Sequence, residues 1–454
     1  MMKRKTPTID EHLHEFKISN KTDESYKNRD FGFVPESWKI VKFENILSIF
    51  NGYAFKSTDA VDSSNTQLIR MGNLYQNKLD LERSPVFYPD YYAQKYSKYL
   101  LKEGDLIISL TGTSEKEDYG FTVKINRTDK NLLLNQRVAR IDVISADINH
   151  DYIFYFLRSR IFLTPLYLTA KGMKQANLST NTIKTLNVLI PPLEEQRKIA
   201  WILSLVQDAI TQQEQIISLT TELKKVLMQK LFTEGTRGEP QKMTEIGFIP
   251  KSWEVIRFAD AISVTSGQVN PKEKPYSEML HVGSENIESN SGRLLCLQTN
   301  QELNISSGNY YFNNDDILYS KIRPYLNKVA LPDFEGTCSA DMYPIRSKNG
   351  CFNRNFLFHF LLSDIFRNQA ISFQDRTGIP KINRAQLGST LLIRPSLLEQ
   401  NEISYALDLC DKRINTAYQN LSTSKDLFRI LLHQLMTAQI RVDDLNLSAL
   451  NLVS

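Results

Sequence analysis

The chain is expected to fold as an α+β protein: two tandem mixed α/β domains, each followed by one long helix. The two helices are expected to pair as an antiparallel coiled coil, giving pseudo-two-fold symmetry. Three observations predict this. In Glu194–Arg237 the apolar residues step by four and three: Ile199, Leu203, Val206, Ile210, Ile217, Leu227 and Leu231. Polar Gln213, Thr220 and Lys224 take the remaining places, and the spacing is that of a helix wrapping against a partner. The partner lies further along the same chain. Adding 204 to each position gives Ile403, Leu407, Cys410, Ile414, Ala417, Leu421, Ser424, Phe428, Leu431 and Leu435. The third observation is a repeat upstream of each helix. FGFVPESWKIVKFENILSIFNG (31–52) returns as IGFIPKSWEVIRFADAISVTSG (246–267), with Gly32, Pro35, Trp38, Phe43 and Gly52 matched at an offset of 215.

The length agrees, because 454 residues exceed what one hydrophobic core organises. Hydrophobic residues make up 41%, and no run approaches the ~20 apolar residues of a membrane span. The start, MMKRKTPTIDEHLHEF, is basic without the apolar stretch of a signal peptide. Cys296, Cys338, Cys351 and Cys410 form no CxxC pair, which fits reduced thiols and a cytoplasmic location. The net charge of +4 divides as +5 over 1–193, −1 over 194–239, +2 over 240–398 and −2 over 399–454. The domains are thus mildly basic and the helices mildly acidic, a balance that permits nucleic-acid binding without requiring it.

In chain order, 1–30 is a polar N-terminal extension in which Ile9, Leu13 and Phe16 are spaced for a short amphipathic helix. The first domain covers 31–193, the central helix 194–237, the second domain 238–398, the C-terminal helix 399–437 and a tail 438–454. Inside the domains LIRMGNL (68–74) answers MLHVGSENI (279–287), and GDLIISLTG (104–112) answers DDILYSKIR (315–323). YIFYFLRS (152–159) answers FLFHFLLS (356–363) as an apolar-faced helix. KGMKQANLS (171–179) answers TGIPKINRA (377–385) as a glycine turn, and LIPPLEEQ (189–196) answers LIRPSLLEQ (392–400), where proline ends a strand and acidic residues open a helix. Trp38 and Trp253 are expected in the core, since both halves use them identically. An antiparallel helix pair places each domain near the start of its own helix and the end of the other, with the tail beside residues 1–30. Within the seam, Lys224 is expected to snorkel outward while Leu223 fills the gap. Gln213 either fixes register or is tolerated there.

These motifs in duplicate and in this order resemble the specificity subunit of type I restriction-modification systems: the GFxPxSW opening, the GxxKxxN-type turn and the (P)PLxEQ helix start. The resemblance runs from about residue 31 to 442. It implies two target recognition domains, each reading one half of a bipartite double-stranded DNA target with a non-specific spacer between the halves. It also implies that the helices act as a ruler, that two methyltransferase subunits and the restriction/translocase subunits bind around them, and that S-adenosylmethionine, ATP and Mg are bound by those partners. The chain itself is then a non-catalytic subunit without cofactor or metal. The sequence agrees: it has no GxxxxGK[ST] loop, its Ile190-Pro191-Pro192-Leu193 lacks the amide or acid and the aromatic of an amino-methyltransferase motif, and its six histidines show no metal-ligand spacing. A stand-alone sequence-specific DNA-binding protein, a repressor or competitor, is the alternative, and a structural scaffold a third reading.

Reading DNA needs side chains that reach base edges and cations on phosphates. Candidates in the first domain are Lys56, Arg70, Asn73, Thr111, Thr113, Gln136, Arg137, Lys174, Gln175 and Asn177. In the second they are Gln268, Asn270, Lys272, His281, Asn286, Lys321, Arg323, Arg376, Lys381, Asn383 and Arg384. All are placed at strand ends or in glycine-flanked turns, and each residue type also belongs on an ordinary solvated surface. Tyr53 and Phe55 either stack at a groove or pack beneath their own loop.

Overall fold

Each long helix begins where proline closes a strand. The structure, a computed structural model, describes residues 26–29, 32–170, 174–373 and 380–445. The strand Asn187–Ile190 leads into a 42-residue helix, Leu193–Glu234, and the strand Leu391–Arg394 into a 40-residue helix, Leu397–Met436. At ~1.5 Å per residue each is a rod on the order of 60 Å long. Gly235 ends the first helix in the left-handed region at φ +67°, and a Cβ there would lie 2.7 Å from the Glu399 carboxylate, so the exit requires glycine. The expected helix within residues 1–25 and the end of the tail, 446–454, lie outside the described residues.

The chain forms two compact units, residues 1–211 with 421–454, and residues 212–420. In the first, a four-stranded antiparallel sheet has the order Leu47–Asn51, Val138–Val143, Leu106–Ser109, Thr122–Lys124. Beside it, Asn131–Leu134 pairs in parallel with Thr66–Ile69, which pairs antiparallel with Phe87–Tyr88. Lys39–Lys42 pairs with Asn187–Ile190, tying the start of the domain to the strand that launches the helix. The second unit repeats this plan. Its antiparallel sheet runs Ile262–Val264, Met342–Ser347, Ile317–Ser320, Val329–Ala330. A second sheet pairs Leu280–Val282 in parallel with Gly336–Cys338, and Glu254–Arg257 pairs with Leu391–Arg394.

The repeat starts earlier than residue 31. Tyr26–Arg29 pairs antiparallel with Gly32–Pro35, and Gln241–Thr244 with Gly247–Pro250, again at an offset of 215. Residues 26–29 are therefore part of a hairpin at the head of the first domain.

Within the first unit Ile199, Leu203 and Val206 share one core with Leu431, Leu435 and Met436, so the start of one helix packs beside the end of the other. Within the second, Leu227, Leu231 and Phe232 pack with Ile403 and Leu407, the end of the first helix beside the start of the second. Both contacts are antiparallel. The expectation for Lys224 is corrected: its side chain is buried and its ammonium lies 2.5 Å from Asp411 Oδ1, while Leu223 is 58% exposed. An ammonium turned into a seam needs a carboxylate there, and Asp411 supplies one.

The helix starts are fixed by a pair of side chains used identically in both units. Glu195 Oε2 accepts from the Trp38 indole at 3.0 Å, and Glu399 Oε2 from that of Trp253 at 2.9 Å. Both indoles are buried, at 1% and 0% exposed, in agreement with the expectation for them. The other carboxylate oxygen binds chain that has just left the opposite helix. Arg441 Nε donates to Glu195 Oε1 at 2.7 Å, and the Thr236 backbone N–H donates to Glu399 Oε1 at 2.8 Å. The neighbouring glutamine is fully buried and caps a second helix. Gln196 Oε1 accepts from Asn149 N at 2.8 Å, and Gln400 Oε1 from Asn353 N at 2.7 Å. Those asparagines are themselves N-caps, of His150–Phe156 and Arg354–Leu362. The glutamine amides donate to Pro191 and Asp147 carbonyls in one unit, and to Pro395 and Cys351 carbonyls in the other.

Removing such a carboxylate takes one acceptor from a buried indole N–H and, in the first unit, from the Arg441 guanidinium. Glu195→Ala and Glu399→Ala are each expected to cost about 1–3 kcal/mol, against about 0.5 kcal/mol for exposed Glu194→Ala. Urea unfolding of the three variants checks this.

Candidate nucleic-acid interface

In each unit the strand leaving the middle of the large sheet is laid against the segment that precedes a short capped helix. In the first unit Leu106–Ser109 continues into Thr111–Thr113, which pairs antiparallel with Gln175–Asn177. Side chains alternate across a strand, so Thr111, Thr113, Gln175 and Asn177 share one face of this ribbon, while buried Gly112 and Ala176 share the other. Backbone bonds from Leu110 N to Arg137 O (2.9 Å) and from Leu178 N to Leu110 O (2.8 Å) bring in the turn that carries Gln136 and Arg137. That turn is held by Tyr53, whose carbonyl accepts from Gln136 N at 3.0 Å. Gly52 lies so close to Asn135 that a Cβ would meet its carbonyl oxygen at 2.2 Å. Asn135 N also donates to Ile69 O, which places Arg70 at the same edge.

The second unit assembles the counterpart. Ile322 bridges to Lys381, Arg323 N donates to Pro380 O at 2.6 Å, and Ile382 N donates to Lys321 O at 2.9 Å. The Lys321 ammonium and the Arg384 guanidinium lie 5.8 and 5.4 Å from the centre of the Tyr343 ring. Each is also tied to backbone: Lys321 Nζ to Ala340 O at 2.6 Å, Arg384 Nη2 to Thr265 O at 2.5 Å. Burial raises the Tyr343 phenol above its ordinary pKa, against the pull of Arg384. Tyr343 therefore stays neutral as a floor for two cations, a role its place inside the strand run MYPIR does not announce.

The remaining candidates fall into distinct places. Lys56, Gln136, Arg137, Lys174, Gln175 and Asn177 are exposed in the first unit; Gln268, Asn270, Lys272, Arg323, Lys381, Asn383 and Arg384 are exposed in the second. Arg70, Thr113, Asn286 and Lys321 are half-buried. Arg70 donates to the Ser84 carbonyl, and the Thr113 backbone N–H donates to the Asp118 carboxylate. Gln268, Asn270 and Lys272 sit apart from the Lys321–Arg384 cluster in sequence, on a loop whose Val269 pairs with Asn309. Asn270 and Asn383 are partly committed: Asn270 accepts from Lys272 N, and Asn383 is the N-cap of Arg384–Ser389. Arg376 lies outside the described residues.

Asn73, Thr111 and His281 are buried, and their polar atoms are spent inside the protein. Asn73 accepts from Arg70 N at 2.9 Å and donates to the Asp80 and Arg83 carbonyls, pinning the turn that follows its strand. Asn286 does the same in the second unit, accepting from Gly283 N and donating to Leu295 and Cys296 carbonyls. Thr111 Oγ1 donates to Met71 Sδ at 2.9 Å. His281 Nδ1 lies 3.1 Å from Asn309 Nδ2, in a buried network with Asn300 and Thr337, and burial lowers its pKa. Phe55 is half-buried among Tyr53, Tyr88 and Tyr96, whereas Tyr53 is 38% exposed at the edge beside Gln136.

What converges in each unit is an exposed edge of amides and cations anchored through its backbone, chemistry suited to base edges and phosphates. A family model described as the type I restriction modification DNA specificity domain matches residues 35–221 and again 250–422. The chain belongs to that family. Each matched segment of this specificity-family chain opens at the proline of one GFxP hairpin, Pro35 and Pro250. The chain is 29% identical over 301 residues to the type I restriction enzyme EcoDI specificity subunit of Escherichia coli, a match covering 60% of this chain and 66% of that protein. It is 24% identical over 443 residues to the type I restriction enzyme MjaVIII specificity subunit of Methanocaldococcus jannaschii, covering 93% and 98%. In fold it is similar to the type I restriction-modification system S subunit from M. genitalium, with a TM-score of 0.58 at 14% identity over 88% of this chain and 96% of that one.

Alanine variants should separate two behaviours. Asn73→Ala and Asn286→Ala remove buried hydrogen bonds and are expected to lower stability by about 1–3 kcal/mol. Lys174→Ala, Asn177→Ala and Arg323→Ala leave exposed positions and should stay within about 0.5 kcal/mol of the parent. For binding, the Lys and Arg truncations should flatten the salt dependence across all DNA sequences, and any residue bidentate to a base should cost roughly 1–3 kcal/mol at one position. Unfolding curves alongside DNA titrations at several salt concentrations check both.

Proposed function

We propose that this chain is the non-catalytic DNA-reading subunit of a type I restriction-modification complex, in which each unit reads one half of a bipartite target. The observation that carries the reading is the pair of equivalent exposed edges with different side chains. The same structural place holds Thr113, Gln175, Asn177 and Arg137 in one unit, and Arg323, Lys381 and Arg384 in the other. Two scaffolds that agree in their core and differ at one edge suit two half-sites of different sequence. A spacer left unread between the half-sites follows if the long helices keep the two edges apart.

Partner binding is supported by a second duplicated feature. On the first long helix Trp201 and Leu205 are 45% and 37% exposed, and on the second Tyr405 and Leu409, at an offset of 204, are 67% and 49% exposed. An aromatic and a leucine one turn apart, outward on each helix, form an anchor of the type that centres protein interfaces. Their duplication fits two copies of one partner, here the methyltransferase subunit. It favours this over the stand-alone reading, in which two such patches have no use. In this scheme S-adenosylmethionine, ATP and Mg are bound by the methyltransferase and restriction subunits. Among the described residues no helix is long and apolar enough to cross a membrane.

Trp201→Ala combined with Leu205→Ala, and Tyr405→Ala with Leu409→Ala, should each remove about one of two bound methyltransferase copies while DNA binding by the chain is retained. Native mass spectrometry of the co-expressed complex reads the count. Two bound copies in both variants would exclude these anchors.

A further inference from the structure

The two helices meet differently in the two units. In the second, Lys224 is buried in the seam with its ammonium 2.5 Å from Asp411 Oδ1. Next to it His359, fully buried, places Nε2 2.8 Å from Asp408 Oδ1 and Nδ1 3.9 Å from Asp411 Oδ2. Asn355 holds the other Asp408 oxygen at 2.6 Å. His359, Asp408 and Asp411 bring three ligand-type atoms within 4.8 Å of one another, yet the positive charge at this spot is already supplied by Lys224.

The positions related by 204 in the first unit carry another chemistry. Phe428 stands for Lys224, Tyr155 for His359, Gln207 for Asp411 and Ser204 for Asp408. Phe428 packs on Tyr155 with ring centres 6.0 Å apart. The Arg158 guanidinium lies 5.2 Å over Phe428 and donates to Gln207 Oε1 at 3.2 Å. One seam therefore matches a cation with two carboxylates, and the other matches an aromatic pair with an arginine.

These sets do not interchange. Were two first long helices to pair, each Lys224 would lose Asp411 and meet Tyr155, Gln207 and the like charge of Arg158. Were two second long helices to pair, Phe428 would face His359 and leave Asp408 and Asp411 without a cation. A buried ammonium such as that of Lys224 is strongly unfavourable without its counter-charge, and polar seam residues select partner and register for this reason.

We propose that Lys224, Asp411 and His359 form a pairing key, by which the first long helix accepts a second long helix in one polarity and refuses the first long helix of another copy. The key goes beyond DNA reading and does not depend on it.

The test uses full-length chains with two different affinity tags. Lys224→Asp places like negative charges in the seam and Asp411→Lys like positive ones, so each single variant breaks the key within its own chain. Co-expressed, the two restore opposite charges only by exchanging helices. They are expected to co-purify about ten-fold more than two differently tagged wild-type chains, while the K224D/D411K double variant returns to the wild-type level. Recovery of either single variant in soluble form only on co-expression counts as the same exchange. Co-purification at the wild-type level, or no recovery while the double variant is soluble, would overturn the key.

Discussion

Much of the molecule depends on one carboxylate at the start of each long helix, Glu399 buried and Glu195 half-buried. Glu195 and Glu399 each hold the indole of their own domain's tryptophan and, through the second oxygen, chain emerging from the other helix. A carboxylate taken out of water is tolerated only where both oxygens are met by donors, so its presence demands that three segments arrive together. The adjacent Gln196 and Gln400 extend the constraint to a fourth segment by capping the asparagine-led helix of the domain. Two consecutive residues thus fasten domain, helix and returning chain. This gives the short (P)PLxEQ motif a physical reason to recur.

With the scaffold so fastened, variation is left to the edges. The strand-to-turn junctions at Thr111–Thr113 and Lys321–Arg323 have their backbone bonds satisfied by Gln175–Asn177 and by Pro380–Ile382. Their side chains can differ without cost to the core. The unequal loops of the two units follow from this: the edge in the first carries amides, hydroxyls and Arg137, and that in the second is more cationic, with Lys321 and Arg384 flanking Tyr343.

The sequence made the helices, the duplicated domains and the tryptophans legible because those features are periodic or repeated, and repetition cancels local accident. What escaped depends on partners distant in the chain. Lys224 reads as a residue that snorkels until Asp411, 187 positions away, is seen beside it. Asn73 and Asn286, polar and turn-borne, look available for a ligand, and only the geometry reveals that each has its side chain committed to its own turn. The strand Tyr26–Arg29 was hidden because YKNR and QKMT share little beyond a lysine, although both pair with the GFxP strand in the same register. His359 reads as one residue of an apolar helix face, since nothing near it in sequence marks the carboxylates that surround it.

If each unit reads one half-site, as proposed, helix length is the variable that sets the gap between half-sites. Four helix-forming residues inserted after Phe232 add about one turn, ~6 Å. At ~3.4 Å per base pair this is at most about two pairs. A genome-wide methylation map of cells carrying the insertion variant with its partner subunits measures the outcome. The same two half-sites are expected, separated by a spacer about one or two base pairs longer. The original spacer, or changed half-sites, would contradict it.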